Sequence, residues 1–123
     1  MNISSMHPII ITDDAEKTMA FYASLGFTTK HSSEMAAGSP VYVIAAGDVE
    51  LEIMQTPKDM PVPMPAGLYG IRINVDDMDA ALEAVKKSGG TIVGGPFDTE
   101  WTSVYAVKDA DGNNVSIMKH IKK

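Results

Sequence analysis

The sequence predicts an α+β fold made of two consecutive βαβββ modules. Three observations carry this. The pair Asp13–Asp14 recurs 63 residues later as Asp76–Asp77, and Val41–Tyr42 recurs at the same spacing as Val104–Tyr105. Ile53–Met54 recurs 64 residues later as Ile117–Met118, so one loop of the second copy is a residue longer. Self-similarity at a fixed period marks a duplicated supersecondary unit.

The elements follow in order. A β-type run, residues 8–12, precedes the first aspartate pair, and Ile71–Val75 precedes the second. Helical patterns follow each pair: Ala15, Thr18, Met19 and Tyr22 in one copy, and Met78, Ala81, Leu82 and Val85 in the other, each on one helix face. The aspartates suit N-caps, because a carboxylate accepts hydrogen bonds from free amides at the positive helix end. Gly26 and Gly89 stand where each helix should stop. Second strands are expected at Thr28–Met35 and Thr91–Phe97. Hairpins follow, with Gly47–Asp48 between Val41–Ala46 and Val49–Gln55, and Asp111–Gly112 between Val104–Asp109 and Asn113–His120. The modules thus cover about 1–56 and 68–123 of a single domain, 1–123, joined by a proline-rich linker, 57–67.

Composition narrows the function. The chain has 123 residues, 45% hydrophobic and 21% charged, an ordinary globular balance. It has no cysteine, which removes disulfide and thiolate chemistry and suits a reducing compartment. A net charge of −6 disfavours nucleic acid and anionic membranes as partners. The basic clusters, Lys86–Lys87 and Lys119, Lys122 and Lys123, are short and read as solvated surface. No apolar run is long enough for a membrane helix, and Met1–Pro8 lacks the pattern of a signal peptide. A cytoplasmic location is expected.

Local motifs add a resemblance. The stretch from Asp14 to Phe27, with Phe21–Tyr22 and Leu25–Gly26–Phe27, is similar to the first helix of the vicinal-oxygen-chelate superfamily of glyoxalases, bleomycin resistance proteins and dioxygenases. Asp109–Ala110–Asp111–Gly112–Asn113 resembles that family's last hairpin. It also suggests a calcium loop, but no carboxylate follows at the required distance. The resemblance spans nearly the whole chain. It implies an eight-stranded, cup-like incomplete barrel with helices outside, a ligand inside, and a homodimer.

The resemblance also implies four metal-ligand positions, two from the first strands and two from the last. In this chain they are His7, Glu52, Gly70 and Ser116. Divalent transition metals need three or more protein ligands, and glycine and a neutral hydroxyl do not supply them. No metal or other cofactor is therefore expected, with a divalent metal as the alternative. His31 and His120 read as surface histidines rather than replacement ligands. Gly70 and Ser116 should free volume where a metal would sit.

Strand alternation places Ile9 with His7, Glu50 and Met54 with Glu52, Arg72 with Gly70, and Met118 with Ser116. A pocket walled by His7, Ile9, Glu50, Glu52, Met54, Arg72, Met118 and the loop residue Trp101 suits a small organic molecule. Arg72 reads either as an ion-pair partner of Glu52 or Glu50, or as an anchor for an anionic ligand. His7 with Glu52 reads either as a satisfied polar pair or as a general base. Trp101 stacks on a flat ligand or packs structurally. Tyr42 and Tyr105 are repeat-related, which favours a structural role. The function expected is metal-independent binding of a small molecule, like the drug-sequestering branch that confers antibiotic resistance. The alternatives are a metal-dependent lyase, epimerase or dioxygenase, and a regulatory domain with an empty cup.

Overall fold

Both helices start as the aspartates require. Asp14 accepts a hydrogen bond from the Lys17 amide at 3.1 Å, and Asp77 accepts one from the Ala80 amide at 3.0 Å. In each pair the second aspartate is the cap. Gly26 and Gly89 follow the last helical turns with φ of 105° and 87°, a region that L side chains rarely enter. The computed structural model describes residues 1–34, 39–57 and 65–121, in two units, His7–Tyr69 and Met1–Met6 with Gly70–Lys123. Among the described residues there are eight strands and two helices.

The first unit contains β1 (Ile3–Thr12) from His7 onward, α1 (Ala15–Ser24), β2 (Thr28–Glu34), β3 (Pro40–Ala46) and β4 (Val49–Gln55). Its strands lie in the order β2-β3-β4-β1, antiparallel except for the parallel pair of β1 and β4. Ile9 lies opposite Glu52 and Ile11 opposite Met54. Alternation then divides the sheet. Ile44, Leu51 and Ile53 join Ala15 on the α1 side, with Ile10, Met19, Tyr22, Phe27 and Tyr42 packed against them. Ile9, Ile11, Val41 and Met54 form a second buried cluster, against which Tyr69 packs.

The second unit repeats the plan with β5 (Gly67–Val75) from Gly70 onward, α2 (Met78–Lys87), β6 (Thr91–Asp98), β7 (Thr102–Lys108) and β8 (Asn114–His120). The order is β5-β8-β7-β6, again with the first and last strands parallel. Arg72 lies opposite Ser116, and Asn74 opposite Met118. These are the register pairs of the first unit shifted by 63 and 64 residues, so the duplication holds at the level of strand pairing. Val75, Ala81, Val107 and Ile117 form the core under α2, with Met78, Leu82, Val85 and Tyr105 packed on it. Tyr42 and Tyr105 thus pack structurally in their own units.

Three differences from expectation have physical reasons. β1 begins at Ile3 and β5 at Gly67, both earlier than the apolar runs. The added start of β1 is polar and is held by backbone: the Asn2 amide donates to the Asp76 carboxylate at 2.7 Å, and the Asp76 amide to the Asn2 carbonyl at 3.1 Å. β2 carries seven exposed residues with no apolar alternation, so it was legible only through its repeat partner. Met35, most of the proline-rich linker (58–64) and Lys122–Lys123 lie outside the described residues.

The 109–113 motif is a turn. Asp109 accepts from the Asn113 side chain at 3.0 Å and from the amides of Asn113 and Asp111 at 2.9 and 3.0 Å. These bonds, the Asn113 side chain foremost, hold its carboxyl below the ordinary value of 3.8. A lowered folded-state value gives stability that is present above the unfolded value and lost as pH falls through the folded one. Asp109→Ala should therefore unfold at lower urea than the wild type at neutral pH. That difference should shrink as pH drops below 3.8. Urea titrations at several pH values check this, and a gap that widens in acid would contradict it.

Candidate functional site

The parallel pairing of β1 with β4 brings His7 and Glu52 together. His7 Nε2 lies 2.8 Å from Glu52 Oε1, and the two residues are 6% and 2% exposed. Two such groups remain buried because each satisfies the other, since an uncompensated buried charge is costly. With the carboxylate ionised, Nε2 carries the proton it shares. Nδ1 is also buried and meets no hydrogen-bond partner among the described residues. Ile9 and Met54, both 1% exposed, lie beside the pair as core residues as much as pocket wall.

Glu50 pairs with Lys30, not with Arg72. Lys30 lies at a bulge in β2 between Thr29 and His31, a position that strand alternation does not reveal. His31 faces Val43 across β2 and β3, and Val43 faces Glu52, so His31 shares that cross-strand row two strands away. It is exposed, as is His120 at the end of β8. Among the described residues, no group of three or more His, Asp or Glu is placed to hold a metal ion.

In the second unit the site positions are polar. Arg72 is half-buried and its Nη1 donates to Met118 Sδ at 3.1 Å. Ser116 is 4% exposed and its Oγ meets no partner among the described residues. Asn74 donates through Nδ2 to Ser5 Oγ, while its Oδ1 is buried without a partner among the described residues. Trp101 stands in the loop between β6 and β7, about half exposed, and its carbonyl accepts from the Ile121 amide at 2.9 Å. Sequence reasoning missed Tyr69, Lys30 and the Ser5–Asn74 bond. Only Tyr69 left a signal, an aromatic residue just before the Ile71–Val75 run.

Gly70 does not open space. A Cβ there would lie 2.0 Å from the Asn114 carbonyl oxygen and 2.8 Å from its carbonyl carbon. The backbone of β8 occupies the room that a side chain would need. The expectation of freed volume at this position is therefore corrected: the glycine permits a close approach of two strands.

Comparison with known proteins agrees with this architecture. The family model described as Glyoxalase/Bleomycin resistance protein/Dioxygenase superfamily matches residues 5–117. An uncharacterized protein of Mycolicibacterium smegmatis is 29% identical over 115 residues, covering 94% of this chain and 92% of its own. The Mycobacterium bovis protein named "Putative glyoxylase CFP32" is 31% identical over 111 residues, and the matched part is 89% of this chain but 41% of that protein. Among solved structures, the hypothetical protein BH1468 of Bacillus halodurans superposes with a TM-score of 0.74 at 17% identity, covering 98% of each chain. A Streptomyces coelicolor methylmalonyl-CoA epimerase in complex with 2-nitronate-propionyl-CoA gives 0.73 at 18% identity, covering 98% and 96%. At such identities the structures report the fold alone.

The Gly70 contact has a measurable consequence. Gly70→Ala should destabilise the protein by about 1–3 kcal/mol, the usual cost of forcing an added carbon into occupied space. A lowered urea midpoint with an unchanged slope checks it, and an unshifted midpoint would contradict it.

Proposed function

Because the chain belongs to the glyoxalase/bleomycin resistance/dioxygenase superfamily, we propose that it is a metal-independent small-molecule-binding protein of that family. The observation that carries this reading is the donor set at the four family positions. Glu52 is hydrogen-bonded to His7, Gly70 has no side chain and no room for one, and Ser116 offers a neutral hydroxyl. Two protein donors bonded to each other do not fit a divalent transition metal, which takes three or more.

Binding itself is supported by three buried polar atoms that meet no partner among the described residues: His7 Nδ1, Asn74 Oδ1 and Ser116 Oγ. A buried polar atom left unsatisfied costs about 1–3 kcal/mol. Such atoms are rare in folded proteins and call for a ligand or a water. His7, Ile9, Glu52, Met54, Arg72 and Met118 are the residues proposed to meet the ligand, with Trp101 flanking. A homodimer is part of the same proposal.

The competing reading is a lyase or epimerase, and the buried His7–Glu52 pair favours it as a metal-free acid–base couple. Two measurements test the proposal. Elemental analysis of protein purified without chelator should find far less than one zinc, nickel, iron, cobalt or manganese per chain. A thermal-shift screen of small organic molecules should find compounds that raise Tm in a concentration-dependent way. Stoichiometric metal retained through dialysis, and lost on replacing His7 or Glu52, would overturn it in favour of the metal-dependent enzymes of the family.

A further inference from the structure

The two units use equivalent positions for different chemistry. In the first, Ile9, Ile11 and Met54 close into an apolar cluster. Their counterparts in the second are Arg72, Asn74 and Met118, with Ser116 in place of Glu52. Replacing two core isoleucines by an arginine and an asparagine is costly unless their polar atoms are met.

The arrangement is a compact two-by-two patch. Arg72 and Asn74 alternate on β5, and Ser116 and Met118 alternate on β8, with Arg72 opposite Ser116 and Asn74 opposite Met118. Neighbouring strands are about 4.8 Å apart, and alternate residues on one strand about 6.6 Å, so all four side chains share one small area. Ile73, Val75 and Ile117 point the other way, into the core under α2. The patch therefore lies on the face of this sheet that carries no helix of its own unit.

The hydrogen-bonding demands of the patch are specific. The Arg72 guanidinium is a donor only, with five N–H groups, and the thioether it meets is a weak acceptor. Ser5 fixes the Asn74 amide through Nδ2, which leaves the buried Oδ1 as an acceptor that needs a donor. Ser116 Oγ, buried and unpartnered among the described residues, can donate or accept. A plain carboxylate answers the arginine and the serine but offers Asn74 nothing. A neutral hydroxyl or amide answers the asparagine but leaves the guanidinium unmatched.

We propose that Arg72, Ser116 and Asn74 form a subsite for a small carboxylate carrying a hydroxyl or amine donor on the adjacent carbon. Arg72 and Ser116 donate to the carboxylate, and Asn74 Oδ1 accepts from the neighbouring donor. The inference rests on the small-molecule-binding reading above and adds the chemical class of the ligand.

Three probes of one size separate the two demands: mandelate has both groups, phenylacetate lacks the hydroxyl, and mandelamide lacks the charge. Calorimetric titration of the full-length protein should show mandelate binding about tenfold or more tightly than either analogue, the usual worth of one matched hydrogen bond to a charged group. Arg72→Met should erase the preference for mandelate over mandelamide. Asn74→Leu should erase the preference over phenylacetate, and Ser116→Ala should weaken mandelate binding several-fold. The wild-type comparison decides even if a variant fails to fold. Equal affinity for the three probes would overturn the proposal. So would binding of neutral or cationic screen compounds without mandelate, and that outcome leaves the small-molecule reading standing. A protein that binds nothing in the screen loses both.

Discussion

The parallel pairing of first and last strands is the constraint on which the rest of each unit depends. Side chains alternate with a period of two, so a slip of one residue between β1 and β4 would exchange the two faces of the sheet. Ile10 and Ile53 would leave the side covered by α1, and His7 and Glu52 would lose their common face. The observed register, Ile9 with Glu52 and Arg72 with Ser116, satisfies the helix side and the opposite side together. The aspartate caps support it from outside. They fix where each helix starts, and the apolar stripe on the helix must then meet a core of matching register.

The duplication is exact in pairing and loose in chemistry. The helix-facing clusters of the two units are built alike, from β-branched and aliphatic residues of the sheet under an alanine of the helix. The opposite faces have diverged. One has a dry cluster beside a single buried histidine–carboxylate pair. The other has a guanidinium, a carboxamide and a hydroxyl within a few ångströms of each other. Packing preserves the first kind of face, because a change in volume there disturbs the fold. The second kind is free to follow whatever it binds, which is why function differs widely among proteins that share this architecture.

Much of the fold was legible in the residues. The doublets, caps and turn dipeptides give the order and type of the elements, and the offsets of 63 and 64 reappear in the strand registers. The pairing of His7 with Glu52 followed from register and alternation alone. Other parts were not legible for definite reasons. β2 has no apolar alternation, so its strand character comes from its neighbour β3. The bulge at Lys30 shifts side chains out of the regular pattern and delivers that lysine to Glu50. The early starts of β1 and β5 depend on backbone bonds that leave no mark in composition. Gly70 misled most, because a missing side chain looks like a vacancy until the neighbouring backbone is placed.

That close approach of β5 and β8 has an evolutionary consequence. Restoring a histidine at residue 70 would take only a change of one codon, yet the new side chain would collide with main chain rather than with a movable side chain. Two strands would have to separate first, disturbing the parallel ladder between them. Small mutational steps toward regaining a coordinating group here pass through a damaged sheet, so the loss behaves like a ratchet.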